Sequence, residues 1–179
     1  STLLSIPAAF TDLLSIQIEG TYIVNGKTVN ANAASSRVGG WFVIYPDGHC
    51  AIEPTNMGKS LTAEYLTPFQ KPGYSAFQQI KIVANGKAAG FKDKTHFPRR
   101  ALMLNKSGEL SVIESRESIT LAEFSTDIAE LGGWNAAYVD MGAWDEGWYR
   151  GANGNPITIG RDLSQTAKQT NWVVFKTAD

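Results

Sequence analysis

The chain has 179 residues, of which 43% are hydrophobic and 18% charged, with 16 Lys plus Arg against 17 Asp plus Glu. This length suits one compact domain over residues 1–179, and the composition excludes disorder along the whole chain. So even a charge balance argues against a general nucleic-acid binder, and no apolar run approaches the roughly 20 residues that span a bilayer.

The predicted elements are mostly strands. Asn25-Gly26 separates Thr21–Val24 from Thr28–Asn30, and Asp47-Gly48 separates Trp41–Tyr45 from Cys50–Ile52. Asn85-Gly86 follows Gln79–Ala84, and Lys106-Ser107-Gly108 lies between Ala101–Leu104 and Glu109–Glu114. These pairs supply the positive φ that tight hairpins need, and their flanks are rich in β-favouring Val, Ile, Tyr and Phe. Weaker helical signals lie at Pro7–Leu14 and Ser60–Leu66. Thr120 to Glu123 reads as a capping box, and Leu121, Phe124, Ile128 and Leu131 follow on one helical face until Gly132-Gly133. A helix is therefore predicted over about 120–131. The short apolar segment Asn135–Met141 reads as a buried strand, and Asn171–Thr177 as a closing strand. The expected fold is α+β: a strand-rich mixed sheet with hairpins and one helix packed on it.

Several catalytic motifs fail on inspection. Gly58-Lys59-Ser60 ends like a phosphate loop, but Glu53 stands where that motif needs Gly. No Gly-x-Gly-x-x-Gly or Gly-x-Ser-x-Gly is present. One Cys and two His, His49 and His96, leave no set for an intrachain disulfide, a multi-Cys metal site or a three-His zinc site. Neither a metal nor another cofactor is expected.

Residues 134–150 stand out. They hold Trp134, Trp144 and Trp148, the acids Asp140, Asp145 and Glu146, and Arg150. Asp140 ends a predicted strand before a Gly-containing loop, a position that suits a catalytic carboxylate. Aromatic faces beside acids suit sugar rings, whose C–H faces stack while their hydroxyls hydrogen-bond. Residues 92–100 form a basic cluster that ends in Arg99 and Arg100, residue types that bind phosphate or carboxylate bidentately.

The order of these features resembles the phosphodiester glycosidase family, relatives of the enzyme that uncovers mannose 6-phosphate. Gly39-Gly40-Trp41-Phe42, Arg99-Arg100-Ala101-Leu102, Thr120-Leu121 and Asn135-Ala136 through Asp140 carry the likeness. It is best over 97–150, looser over 37–45 and close to absent in 1–30 and 55–90. The resemblance implies a site that includes Gly39 and Gly40, Arg99 or Arg100, and Asp140. Two departures accompany it: Val38 replaces the Asn common before the Gly pair, and Met141-Gly142-Ala143-Trp144 replaces a Gly-then-Ser run.

The resemblance implies a glycoside hydrolase that cleaves a sugar from a glycosyl phosphodiester through an oxocarbenium-like state. Asp140 is the first choice for the carboxylate and Glu146 the second. Arg99, Arg100 or Arg150 would bind the phosphate, and Trp144 and Trp148 would hold the ring beside Gly39 and Gly40. The expected partner is a small carbohydrate or its phosphodiester, without nucleic acid. The alternatives are a carbohydrate-binding domain without catalysis, or a relative that has lost its activity. Residue 1 is Ser and the first basic residue is Lys27. The expectation is a secreted or periplasmic, cell-envelope protein whose signal segment is absent from this chain.

Overall fold

A computed structural model describes residues 1–30, 34–142, 145–160 and 165–177. Its strands form three sheets, and every pairing between them is antiparallel. The first sheet holds β1 (Thr2–Pro7), β12 (Gly147–Arg150), β13 (Pro156–Ile159) and β14 (Trp172–Lys176), in the order β13-β12-β1-β14. The second holds β2 (Tyr22–Val24), β3 (Lys27–Thr28), β4 (Gly40–Ile44), β5 (Cys50–Pro54) and β6 (Ser75–Gln79), in the order β3-β2-β6-β4-β5. The third holds β7 (Lys81–Ala84), β8 (Lys87–Ala88), β9 (Arg100–Asn105), β10 (Leu110–Glu114) and β11 (Gly133–Tyr138), in the order β10-β9-β11-β7-β8.

This overturns the α+β expectation. Among the described residues only two short α-helices occur, α1 (Ala63–Leu66) and α2 (Leu121–Glu130), and the architecture is all-β-like. The expected mixed sheet is also corrected, because three wholly antiparallel sheets stand in its place. The helix prediction rested on a real local signal, but ten residues make a patch on one sheet rather than a layer. The helical reading of Pro7–Leu14 fails as well. Residues 2–7 are a strand, and its last residue is the proline.

Period-two alternation builds the interior. Tyr22, Phe42, Phe77, Leu102, Ala137 and Val139 meet Ile6 and Val173 in a central core to which all three sheets contribute. Their strand neighbours point the other way. Ile23, Trp41, Val43 and Ala76 pack with Leu61 and Phe69. Ala101, Met103, Ala136 and Tyr138 pack beneath Leu121, Phe124 and Ile128 of α2. Leu131, expected on that apolar face, is instead exposed at the end of the helix.

The turns follow their residues. Asn25-Gly26 and Asn85-Gly86 both take positive φ, the geometry of a two-residue hairpin whose twist matches its strands. The α2 capping box is complete. Thr120 Oγ1 accepts from the Glu123 N–H at 3.2 Å, and the Thr120 N–H donates to Glu123 Oε2 at 2.8 Å. Thr120→Ala is expected to cost about 1 kcal/mol, read as a lower midpoint in chemical denaturation at unchanged slope.

Candidate functional site

Asp140 follows β11, and the segment 8–11, distant in sequence, fixes its place. Its N–H donates to the Ala8 carbonyl at 3.0 Å. The Thr11 N–H donates to Asp140 Oδ2 at 3.1 Å, and the side chain of Gln169 lies close by, its Nε2 donating to the Asn171 carbonyl. Residues 8–11 are themselves held by Asn171. Its side-chain oxygen accepts from the Ala9 N–H at 2.7 Å and its amide donates to the Ala9 carbonyl at 3.0 Å, which imitates one more step of a strand ladder.

Asp140 is 5% exposed. Burial pushes its carboxyl up to about 7, with the Glu19 charge adding to the rise and the hydrogen bonds opposing it. It lines a cleft of about 690 Å³. The other charged residues there are Asp12, Glu19 and Arg37, and the apolar wall includes Phe10, Leu13, Leu14, Val38, Phe97 and Met141. Arg37 Nε donates to Glu19 Oε1 at 2.7 Å, and its Nη2 pairs with Glu19 Oε2.

The structure does not gather the predicted site residues in one place. Arg99 and Arg100 are consecutive in extended chain and face opposite sides of the third sheet. Arg99 Nε donates to the Ile119 carbonyl at 3.0 Å and Nη2 to the Thr95 carbonyl at 2.8 Å. Its guanidinium lies 5.4 Å from the Phe97 ring centre and 5.8 Å from that of Tyr138. It therefore sits behind the cleft wall. Arg100 is 0% exposed and ion-paired with Glu114, with Nε and Nη2 each 2.7 Å from Oε2.

Glu146, Trp148 and Arg150 line a different cavity, of about 490 Å³, together with Trp172. Arg150 donates to the Thr2 carbonyl at 2.9 Å and the Gly154 carbonyl at 2.6 Å. Asp140 and Glu146 therefore line two separate cavities. Trp144 lies outside the described residues. Trp134 is on β11, with the Lys106 ammonium 5.3 Å from its ring centre, and Trp148 is on β12 in another sheet.

Gly39 and Gly40 sit beside Val38, which does line the Asp140 cleft. A Cβ on Gly40 would stand 2.7 Å from the Gln79 carbonyl oxygen and 2.9 Å from the Lys81 nitrogen. The glycine lets β4 pass closely under the chain where β6 leads into β7. Gly40→Ala is expected to destabilise the protein by about 1–3 kcal/mol through overpacking, measurable as a lower melting temperature.

Sequence reasoning missed Glu19, Arg37, Thr11 and Gln169. They come from stretches that carry no motif, and only tertiary contact brings them to Asp140. The available signal was an acid and a base, Glu19 and Arg37, flanking the hairpin Tyr22–Thr28.

Comparison with known proteins gives a fold and no family. No family model matches the sequence, and no curated protein does. Among solved structures, the zebrafish N-acetylglucosamine-1-phosphodiester alpha-N-acetylglucosaminidase catalytic domain, auto-inhibited by its pro-peptide, is similar with a TM-score of 0.64. The identity is 15%, over 87% of this chain and 55% of that one. The likeness is one of fold. A hypothetical protein from Synechocystis matches at a TM-score of 0.49 and 12% identity, over 87% of this chain and 48% of its own. The chain thus spans about half the length of these structures. Among the described residues no helix is long and apolar enough to cross a membrane.

Proposed function

We propose that this protein is a glycoside hydrolase in which Asp140 is the proton-donating carboxyl group. The observation that carries this reading is the placement of Asp140: buried, hydrogen-bonded to the distant segment 8–11, and at the wall of a cleft of ligand size. A carboxyl held up to about 7 keeps its proton near neutrality and can give it to a departing alcohol oxygen. Glu19 lies in the same cleft as the carboxylate partner of Arg37, so two acids in unlike surroundings face one space. Glycosidic cleavage needs such a pair, one acid to protonate and one carboxylate to support the oxocarbenium-like sugar or activate water. The fold likeness to a glycosidase catalytic domain supports the reading.

The test is hydrolysis of a panel of neutral glycosides by the wild type and Asp140→Asn across pH. Activity that depends on Asp140 and falls as pH rises through about 7 supports the proposal. A second reading, carbohydrate binding without catalysis, rests on the separate cavity where Trp148 and Trp172 present aromatic faces beside Glu146. Sugar binding abolished by Trp148→Ala and unaffected by Asp140→Asn would favour it.

A further inference from the structure

We infer that the Asp140 cleft takes a glycoside that carries no negative charge and has an apolar aglycone, in preference to a glycosyl phosphodiester. The inference rests on the glycosidase reading of this cleft and names its substrate class. Among the described residues, three acids, Asp12, Glu19 and Asp140, line the cleft against one base, Arg37. That base is already engaged through both Nε and Nη2 with Glu19.

A phosphodiester binds well only where charge-assisted donors face it. The other arginines considered for that role do not provide them. Arg99 donates to the Ile119 and Thr95 carbonyls behind Phe97, Arg100 pairs with Glu114 on the far face of the sheet, and Arg150 lines the other cavity. Arg37 keeps Nη1 for a further acceptor, but its charge is balanced by the Glu19 carboxylate, whose side chain is 12% exposed, so a phosphate that met Arg37 would also meet that anion.

The uncharged part of the cleft points the same way. Leu14 is 97% exposed and Phe97 45%, both on the cleft wall beside Leu13. Asp12 Oδ1 accepts from the Leu14 N–H at 3.0 Å and the Ser15 N–H at 2.8 Å, which fixes the turn that presents the two leucines. An apolar group on the ligand would cover side chains that water now meets. The leaving groups differ in the same direction. A departing phosphate is a weak base and needs no proton, whereas an alkoxide does need one, and Asp140 is placed to supply it.

The experiment compares, by calorimetric titration of the wild-type protein, hexyl thioglycosides with hexyl phosphodiesters of the same sugars. The sugars are both anomers of the common neutral hexoses and N-acetylhexosamines. The thioglycoside of at least one sugar is expected to bind about tenfold or more tightly than its phosphodiester. Raising salt from about 10 mM to about 500 mM should strengthen only the phosphodiester, because screening weakens repulsion. Glu19→Gln should narrow the gap by removing one negative charge and freeing Arg37. Equal or tighter binding of the phosphodiester, or no binding of any thioglycoside, overturns the inference. The two readings fail separately. Thioglycoside binding without hydrolysis of the matching hexyl glycoside defeats the glycosidase reading alone. Cleavage of a better-bound phosphodiester that depends on Asp140 defeats the substrate class alone.

Discussion

Asp140→Asn is expected to lower kcat/KM on an alkyl glycoside by about 10²–10⁴-fold, the range associated with a positioned proton donor. Asn keeps the size of the side chain and still accepts from the Thr11 N–H, but it has no proton to give to a leaving oxygen. The loss should be much smaller on a nitrophenyl glycoside, whose leaving group departs without protonation. In the wild type, activity on the alkyl substrate should decline as pH rises through about 7, where Asp140 loses its proton. That limb should be missing from the variant. Equal losses on alkyl and nitrophenyl substrates would show that Asp140 does something other than donate a proton.

The same exchange should stabilise the fold, and the sign depends on pH. The Asp140 carboxyl is raised from 3.8 to about 7 in the folded chain. Below about pH 4 both folded and unfolded chains hold the proton, and the residue contributes no difference. Between about 4 and 7 the unfolded chain releases its proton while the folded chain keeps it, so stability falls as pH rises through this window. Above about 7 the full penalty stands, at most about 4 kcal/mol. Asn carries no such penalty. At pH 8, Asp140→Asn is expected to raise the melting temperature by at most about 8–16 °C, at about 2–4 °C per kcal/mol for a chain of this size. At pH 4 the two proteins should melt together. A variant with less activity and more stability is the signature of a residue kept for chemistry rather than for folding.

Which features were legible from sequence follows from how local their causes are. Asn25-Gly26 and Asn85-Gly86 announce their hairpins because positive φ is a property of the residues at the turn. The α2 capping box is legible because its partners are three residues apart. The first sheet was legible only at β14. It joins the N-terminal strand to 147–150 and 172–176, pairings more than 140 residues apart in sequence for which no local pattern exists. Reading helix into Pro7–Leu14 and no strand into 147–150 hid that sheet, and with it the reason residues 8–11 lie against Asp140. The candidate site divides in the same way. Asp140 was legible as an acid at the end of an apolar segment, whereas Glu19 and Arg37 reach it through the path of the chain alone. The Arg99-Arg100 pair looked like one basic site because the two are adjacent, but a strand sends neighbours to opposite faces.

Arg100 gives the largest expected loss of stability from a single substitution. It is fully buried at the start of β9, opposite Glu114 in the register of β9 and β10, and its guanidinium is bound to that carboxylate. Arg100→Ala removes the partner, leaves Glu114 facing a void and deletes a large side chain from a close-packed interior. Breaking a buried pair from one side costs about 3–5 kcal/mol. Glu114 is one-third exposed and can recover some water, so the low end applies, a fall in melting temperature of about 6–12 °C. An activity loss in that variant alone would not separate structure from phosphate binding. The double variant Arg100→Met with Glu114→Leu does, because an apolar pair of similar volume can replace a buried ion pair with little loss of stability. It is expected to regain most of the stability, with a coupling of about 1–3 kcal/mol between the two sites, and to cleave an alkyl glycoside at the wild-type rate. If the double variant melts like the wild type but has lost its activity, the Arg100 guanidinium acts on the substrate, and its role as an internal strut is wrong.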